Sequence, residues 1–87
     1  MISDKEINRM RWASRRGMLE LDLVLEPFVN ARYGELNDRD RMLFQRLIIC
    51  EDQDLFQWFL RRQSPPDEEL IPIVEQILEF ARSRADN

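Results

Sequence analysis

Histidine is absent from this chain of 87 residues, and cysteine occurs once, at Cys50. Without histidine, the chain can form neither a Ser-His-Asp triad nor a Cys-His pair, and the common zinc sites are excluded as well. Its acidic residues do not follow the Asp-x-Asp-x-Asp-Gly order of a calcium-binding loop. These absences argue against an enzyme that acts alone and against a bound metal.

Long apolar runs are also missing from the sequence. No stretch approaches the roughly 18 consecutive apolar residues that indicate a membrane span. Asp4 and Glu6 bring acidic residues close to the start, unlike a secretory signal or an organelle transit peptide. A single cysteine cannot form an internal disulfide, so Cys50 is interpreted as a small apolar residue in a reducing compartment. We therefore expect a cytoplasmic protein without direct membrane insertion.

Glycine and proline are scarce, with two and four residues respectively, and leave long uninterrupted segments. Within these segments, apolar residues recur every three or four positions, which is the period of an α-helix. A chain of this length buries about two-thirds of its surface around one core. The sequence therefore predicts an all-α fold, a compact single-domain bundle of about five helices spanning residues 1–87.

Capping residues and breakers divide the chain into the predicted helices. The first opens at Ser3, with Glu6 three residues later as the second half of a capping box, and Gly17 breaks the segment that follows. Gly34 is a natural stop for the second helix, and Asp52 is the expected cap of the fourth. The predicted helices cover about residues 3–15, 18–33, 38–50, 53–62 and 67–84.

Charge is distributed unevenly along an acidic chain with a net charge of −4. Residues 1–16 hold five basic and two acidic side chains, a net +3, so the remainder carries −7. On a helical wheel, the basic side of the first helix carries Lys5, Arg9 and Arg16. Trp12 falls on that side too. The simpler interpretation is that Trp12 is a core residue of a helix buried on two sides. The alternative is an anchor of Trp and Arg for a protein partner, because both residues are enriched at binding hot spots.

The second helix carries a carboxylate where its apolar pattern fails. Glu20 points away from the predicted buried stripe, and Leu19 and Leu23 flank it. This arrangement suits a protein interface, although a solvated Glu beside leucines that touch a neighbouring helix also fits the pattern. Gly17 permits either a positive φ or the close approach of another protein. Arg16 and Glu20, four residues apart, could present opposite charges there.

The run from Arg15 to Asp22, RRGMLELD, resembles the RGxxE signature of the succinate dehydrogenase assembly factors that promote covalent flavinylation. Three further segments resemble the bacterial branch of that family: Trp12-Ala13 before the signature, Pro27-Phe28 after it, and Asp54-Leu55-Phe56-x-Trp58. The resemblance covers nearly the whole chain. RGxxE alone is a weak pattern, but its extended form within a short acidic helical protein is fairly specific.

The resemblance implies a non-enzymatic factor that binds the flavoprotein subunit of succinate dehydrogenase, and of fumarate reductase. Such a factor promotes covalent attachment of FAD to a histidine of that partner, which holds the FAD, so the chain stably binds no cofactor itself. The functionally important Gly and Glu of the family correspond to Gly17 and Glu20, with Arg16 beside them. We expect a bacterial cytoplasmic monomer, and the expected partner-binding residues are Arg9, Trp12, Arg16, Gly17, Leu19, Glu20, Asp22 and Leu23.

An alternative function is that of an antitoxin-like or regulatory small helical binding protein. Nucleic acid is an unfavourable partner for such a chain, because the net charge is −4 and the basic residues concentrate in the first helix. The sequence also lacks a convincing Gly-containing turn followed by a recognition helix. We therefore expect a protein partner and no nucleic acid.

Overall fold

The computed structural model describes residues 2–85, and these residues form helices and connections without a β-strand. The predicted all-α class with five helices is therefore confirmed. None of the described helices has both the length and the apolar character needed to cross a membrane. The helices are α1 (Asp4–Ala13), α2 (Leu19–Arg32), α3 (Asp38–Ile48), α4 (Asp52–Phe59) and α5 (Ile71–Ala85), with short 3₁₀ turns at Tyr33–Glu35 and Glu68–Leu70.

Side chains cap α1 and α3 where the sequence provides a polar residue before the first turn. The Ser3 hydroxyl accepts a hydrogen bond from the Glu6 amide at 3.2 Å, as predicted for an N-cap. Asn37 accepts one from the Asp40 amide at 2.8 Å in the same way. The Glu6 carboxylate does not complete a capping box with Ser3, because it accepts a hydrogen bond from the Tyr33 hydroxyl at 2.9 Å.

The roles predicted for Asp52 and Gly34 at helix boundaries are wrong. Glu51 holds the N-cap position of α4 without a side-chain cap bond, and Asp52 is the first residue of the helix. Asp52 is drawn into a long-range ion pair, which is described below. At the end of α2, Gly34 does not provide a left-handed stop. It lies inside the 3₁₀ turn that continues from the helix, and Gly17 is the glycine whose φ is positive in the described chain.

The core is built around α2, which contacts α1, α4 and α5. An aromatic cluster joins three elements: the Phe28 and Phe44 rings stack at 5.9 Å, and Tyr33 meets Phe44 edge to face at 5.4 Å. Trp58 and Phe59 of α4 are buried in this core as well. The radius of gyration of 12.1 Å matches the value of about 12 Å expected for a folded chain of this length.

Helices α1 and α2 form an antiparallel hairpin. Arg11 Nε donates to Asn30 Oδ1 at 2.6 Å, and Arg15 Nε donates to Glu26 Oε1 at 2.9 Å. As the residue number rises along α1, the number of its partner on α2 falls, so the two helices run in opposite directions. The five-residue connection 14–18, which contains the Arg-Gly of the signature, is therefore the tip of this hairpin.

Candidate functional site

The Arg16 side chain ties the hairpin tip to the junction between α3 and α4. Its Nη1 donates to the carbonyls of Ala13 at 2.9 Å and Ile48 at 2.7 Å, and its Nη2 donates to the Cys50 carbonyl at 2.9 Å. Its Nε donates to Asp52 Oδ1 at 2.7 Å. We call this set of four bonds the Arg16 clamp.

The physical basis of the Arg16 clamp lies at the helix ends. The last carbonyls of α1 and α3 have no partner within their own helices, and both helix C-termini carry partial negative charge. A guanidinium group satisfies several such carbonyls at once, because its donors are arranged as a rigid planar fork. The Asp52 carboxylate adds a charge-assisted bond, so the cation is neutralised where it is largely removed from water.

The predicted exposure of Arg16 is wrong. Its side chain is only 17% exposed, and its charge is paired with Asp52 rather than presented beside Glu20. The helical wheel failed here because α1 ends at Ala13, so Arg16 no longer follows the helical direction. The sequence does not reveal Asp52 as a site residue, because 36 positions separate it from Arg16 and an Asp at the start of a helix is already explained as a cap.

Asp22 fixes the other side of the hairpin tip. Its Oδ1 accepts a hydrogen bond from the Arg16 backbone amide at 2.8 Å, while the amides of Leu21 and Asp22 bond the Met18 carbonyl to start α2. Arg16 is therefore held by both its side chain and its backbone. In the free chain, Asp22 acts on the shape of the tip.

Gly17 adopts a left-handed conformation, with φ of +79°. A Cβ placed on Gly17 would meet no heavy atom within 4 Å, so internal packing does not require glycine at this position. Backbone conformation does require it, because L residues with a side chain are strained at this φ. The open space beside Gly17 leaves its backbone accessible to another molecule.

Trp12 lies on the surface, 70% exposed, and the prediction of a core position is wrong. The Arg15 guanidinium lies over the indole ring, 5.3 Å from its centroid, and also pairs with Glu26 at 2.9 Å. This chain of contacts joins Trp12 to the outward side of α2. A large amphipathic ring is thus presented to solvent with its neighbours partly fixed.

Leu19 and Leu23 continue the exposed surface onto α2, with 66% and 62% of their areas accessible. They lie one turn apart, and Glu26 follows Leu23 after three more residues, so all three share one side of the helix. Because Glu26 pairs with the Arg15 that covers Trp12, the two leucines and Trp12 lie on the same side of the hairpin. The alternative in which these leucines touch a neighbouring helix is therefore wrong.

Glu20 lies beside these leucines in the first turn of α2 and is exposed, with no ion-pair partner among residues 2–85. We name the surface formed by Trp12, Leu19, Glu20 and Leu23, with Gly17 at its edge, the outer face. It combines three large apolar side chains with one free carboxylate. Exposed apolar residues clustered around a few polar groups are typical of a protein-docking surface.

The basic side of α1 is only partly available to a partner. Arg11 is bonded to Asn30 and Asn8, and Arg15 is bonded to Glu26. Arg9 is exposed on the same helix as Trp12, without an ion-pair partner in the described part of the chain. It is the arginine of α1 best placed to meet an acidic group of a partner beside Trp12.

The arrangement holds little that could bind a metal or act as a nucleophile. Residues 2–85 contain no group of three or more His, Cys, Asp or Glu residues with metal-binding geometry. Burial, together with the nearby charge of Asp54, raises the pKa of the Cys50 thiol. The thiol therefore stays protonated at neutral pH, while its sulfur donates weakly to the Arg46 carbonyl at 3.6 Å.

Comparison with known proteins identifies the family. Residues 8–81 match the model of the Sdh5 family, described as the flavinator of succinate dehydrogenase. A relative in Pseudomonas syringae pv. tomato, named FAD assembly factor SdhE, is 54% identical over 79 residues, which cover 91% of this chain and 94% of the relative. Proteins of the same name are similar in Idiomarina loihiensis, with 50% identity over 85% of this chain and 82% of the relative, and in Photorhabdus laumondii, with 46% identity over 79% and 78%. This chain therefore belongs to the family described as the flavinator of succinate dehydrogenase.

Proposed function

We propose that this chain is an FAD assembly factor. It binds the flavoprotein subunit of succinate dehydrogenase and promotes covalent attachment of FAD to a histidine of that subunit. The family description and the names of relatives that share about half of their residues with this chain support this function. The outer face is the observation on the molecule itself that carries the proposal.

The outer face has the composition of an interface core. Trp12, Leu19 and Leu23 expose large apolar side chains, and Glu20 adds an exposed carboxylate beside the two leucines on α2. Trp and Arg dominate the binding energy of many interfaces, which gives Trp12 and Arg9 the role of anchors. The partner's backbone or side chains can approach closely at Gly17, because no atom of this chain fills the space beside it.

Glu20 is the residue that links docking to flavin attachment. In the complex its carboxylate lies near the acceptor histidine of the partner and either orients the imidazole by a hydrogen bond or fixes the surrounding domains. Positioning of reacting groups can supply a large share of a rate enhancement, so a factor of this kind needs no catalytic centre of its own. We therefore propose a non-enzymatic role.

FAD belongs to the partner in this proposal. The described residues contain only helices and connections, without the strand, Gly-rich turn and helix that cradle a dinucleotide pyrophosphate. The flavin is therefore bound by the flavoprotein, and this chain acts as a monomer on the protein around it. We also propose that the chain acts on the flavoprotein of fumarate reductase. It acts in the bacterial cytoplasm, where flavoprotein subunits are synthesised.

A deletion strain tests the proposal directly. Loss of the gene should remove flavin fluorescence from the flavoprotein band on a denaturing gel, and expression of this chain should restore it. An affinity-tagged chain should retain the flavoprotein from the lysate. Normal covalent flavin in the deletion strain, together with a pull-down that lacks the flavoprotein, would contradict the assignment.

Substitution of Glu20 by Gln tests the carboxylate itself. The variant keeps the size of the side chain, so it should bind the flavoprotein with little change but support covalent flavin incorporation slowly. Leu23→Ser is the matched comparison on the same helix face, because it should weaken binding first. Full flavin incorporation with Glu20→Gln would exclude a required charge or proton transfer at this position.

A further inference from the structure

We infer that the Arg16–Asp52 pair is a positioning device that sets the geometry of Gly17 and Glu20 from beneath the outer face. The inference rests on the proposed function and assigns a role to Asp52, a residue outside the RGxxE signature. Arg16 therefore acts through the shape of the hairpin tip and not by touching the partner.

The Arg16 guanidinium is bonded inside the protein. Two of its bonds go to carbonyls at the ends of α1 and α3, one to the Cys50 carbonyl in the connection after α3, and one to the Asp52 carboxylate. Four of the five N–H donors of an arginine are thereby used. A side chain that is 17% exposed and bonded in this way has little left to offer a docking partner.

The bonds of Arg16 affect the placement of Glu20 through the backbone of the hairpin tip. The Arg16 amide is bonded to Asp22 Oδ1 at 2.8 Å, and Met18 accepts the first amide bonds of α2. Gly17 lies between these fixed points in a left-handed conformation. Glu20 follows within the first turn of α2, so its direction depends on where the tip places the start of that helix.

Asp52 connects the hairpin tip to a second part of the fold. It begins α4, and the Ile48 and Cys50 carbonyls precede it at the end of α3. An arginine bound only to Ala13 would fix the tip to its own hairpin. The bonds to Asp52, Ile48 and Cys50 also fix the tip to the α3–α4 junction. The core residues Leu47 and Leu55 hold that junction in place.

Amide hydrogen exchange on the free chain tests the positioning role without any partner. Asp52→Asn removes the charge of the pair but disturbs the fold less than Arg16→Ala, which leaves three partly buried carbonyls without their donor. The Arg16 and Asp22 amides should exchange about tenfold faster, while α5 amides remain protected. Asp54→Asn is the control, because it removes a carboxylate from the same first turn of α4 that is exposed and not bonded to Arg16.

Flavin attachment supplies the second readout. With the flavoprotein saturated by the factor, Asp52→Asn should lower the rate of covalent attachment about tenfold, and Asp54→Asn should not. Asp52→Asn combined with Glu20→Gln should be slowed by less than the product of the two single effects, because both act through Glu20. Asp52→Glu, which keeps the charge, should recover part of the rate.

Three results would overturn the inference. Unchanged exchange at the hairpin tip in Asp52→Asn would show that the pair does not hold it. Equal acceleration of tip and α5 amides would show a role in global stability alone. A saturated rate that stays at the wild-type value, with only the half-saturating concentration changed, would make Asp52 a binding determinant. The exchange result stands even if the chain fails to bind the flavoprotein, so failure of the inference and of the proposed function can be distinguished.

Discussion

The adjacent residues Arg15 and Arg16 belong to two different regions of the hairpin tip. Arg15 lies on the outer side, where its side chain is 61% exposed, stacks on Trp12 and pairs with Glu26. Arg16 lies on the inner side, where its side chain is 17% exposed and bonded to four groups of three helices and their connections. The same type of side chain is therefore exposed at the surface on one side of the tip and bonded inside the protein on the other.

The difference shows that a compact motif need not be a compact surface. In the RGxxE run, Arg16 points into the protein, Gly17 supplies a backbone conformation, and Glu20 is free in solvent. The inner side is rich in hydrogen bonds and ion pairs, which cost most when one partner is removed. The outer face is rich in exposed apolar area, and substitutions there should leave folding largely unchanged.

Substitution of Arg16 by Ala should give the largest effect on folding. It leaves three buried carbonyls and the Asp52 carboxylate without their donors, which should lower the free energy of unfolding by about 3 kcal/mol. Urea unfolding followed by circular dichroism measures this change. Arg15→Ala is the matched control, and it should cost less than about 1 kcal/mol, because its ion pair is exposed. Equal losses in the two variants would remove the distinction between the inner and outer sides.

Substitution of Trp12 by Ala should reverse the pattern. The free energy of unfolding should change by no more than about 0.5 kcal/mol, because the ring is largely solvated in the free chain. Affinity for the flavoprotein should fall about thirtyfold, or about 2 kcal/mol, as at an aromatic hot spot. Isothermal titration calorimetry with the purified flavoprotein measures the affinity. A variant that binds normally would exclude Trp12 from the interface.

Two substitutions of Gly17 separate strain from close approach. Ala and Arg should both lower the free energy of unfolding by about 1 kcal/mol, because each places a Cβ at a φ of +79°, where the Cβ itself meets no neighbouring atom. Only Arg should strongly weaken docking, since it adds bulk and charge where the partner approaches. Thermal unfolding and the same calorimetric titration provide both values. Similar affinities for the two variants would make the role of Gly17 purely conformational.

The sequence predicted much of the fold because its local signals agree with one another. Apolar spacing, the Ser3 cap and the helix-breaking Gly17 all indicate helices, and the structure has helices at these places. The role of a residue at a helix boundary is harder to predict from the sequence where two interactions compete for its side chain. Asp52 has the chemistry of a cap, but an ion pair with Arg16 gives its carboxylate a stronger partner than a free amide.

The site could be predicted only in part, because exposure depends on tertiary packing. The wheel correctly separated Glu20 from the buried stripe of α2, since that helix is regular over the relevant residues. It could not decide between burial and exposure for Trp12, because neighbouring helices determine which sides of α1 are covered. It misplaced Arg16, because the helix ends three residues earlier and the chain turns at the tip.

Tyr33 provides the prediction with the smallest expected effect. It tests a buried contact of α1 at the end of the helix away from the hairpin tip. Its buried hydroxyl donates to Glu6 and accepts from Gln45 Nε2, both at 2.9 Å, so it joins α1 to α3 through a neutral group instead of an ion pair. Burial first, and then the Glu6 carboxylate, raise the Tyr33 pKa, with the Gln45 hydrogen bond acting in the opposite direction. Because the folded pKa exceeds the unfolded value near 10, the stabilisation is complete below about pH 10 and is lost as the pH rises through the folded pKa.

Comparison of the wild type with Tyr33→Phe between about pH 8 and pH 11 isolates that contribution. The wild type should lose stability over the upper part of this range by less than about 1.4 kcal/mol per pH unit, the limit for one proton. The variant should be less stable at pH 8, because it lacks both hydrogen bonds, but its curve should be flatter above pH 10. All groups other than the Tyr33 hydroxyl are common to the two proteins, so their effects cancel in the difference. Parallel curves would mean that ionisation of the Tyr33 hydroxyl does not change the free energy of unfolding. The charge-dependent contacts on the inner side would then be those of Arg16.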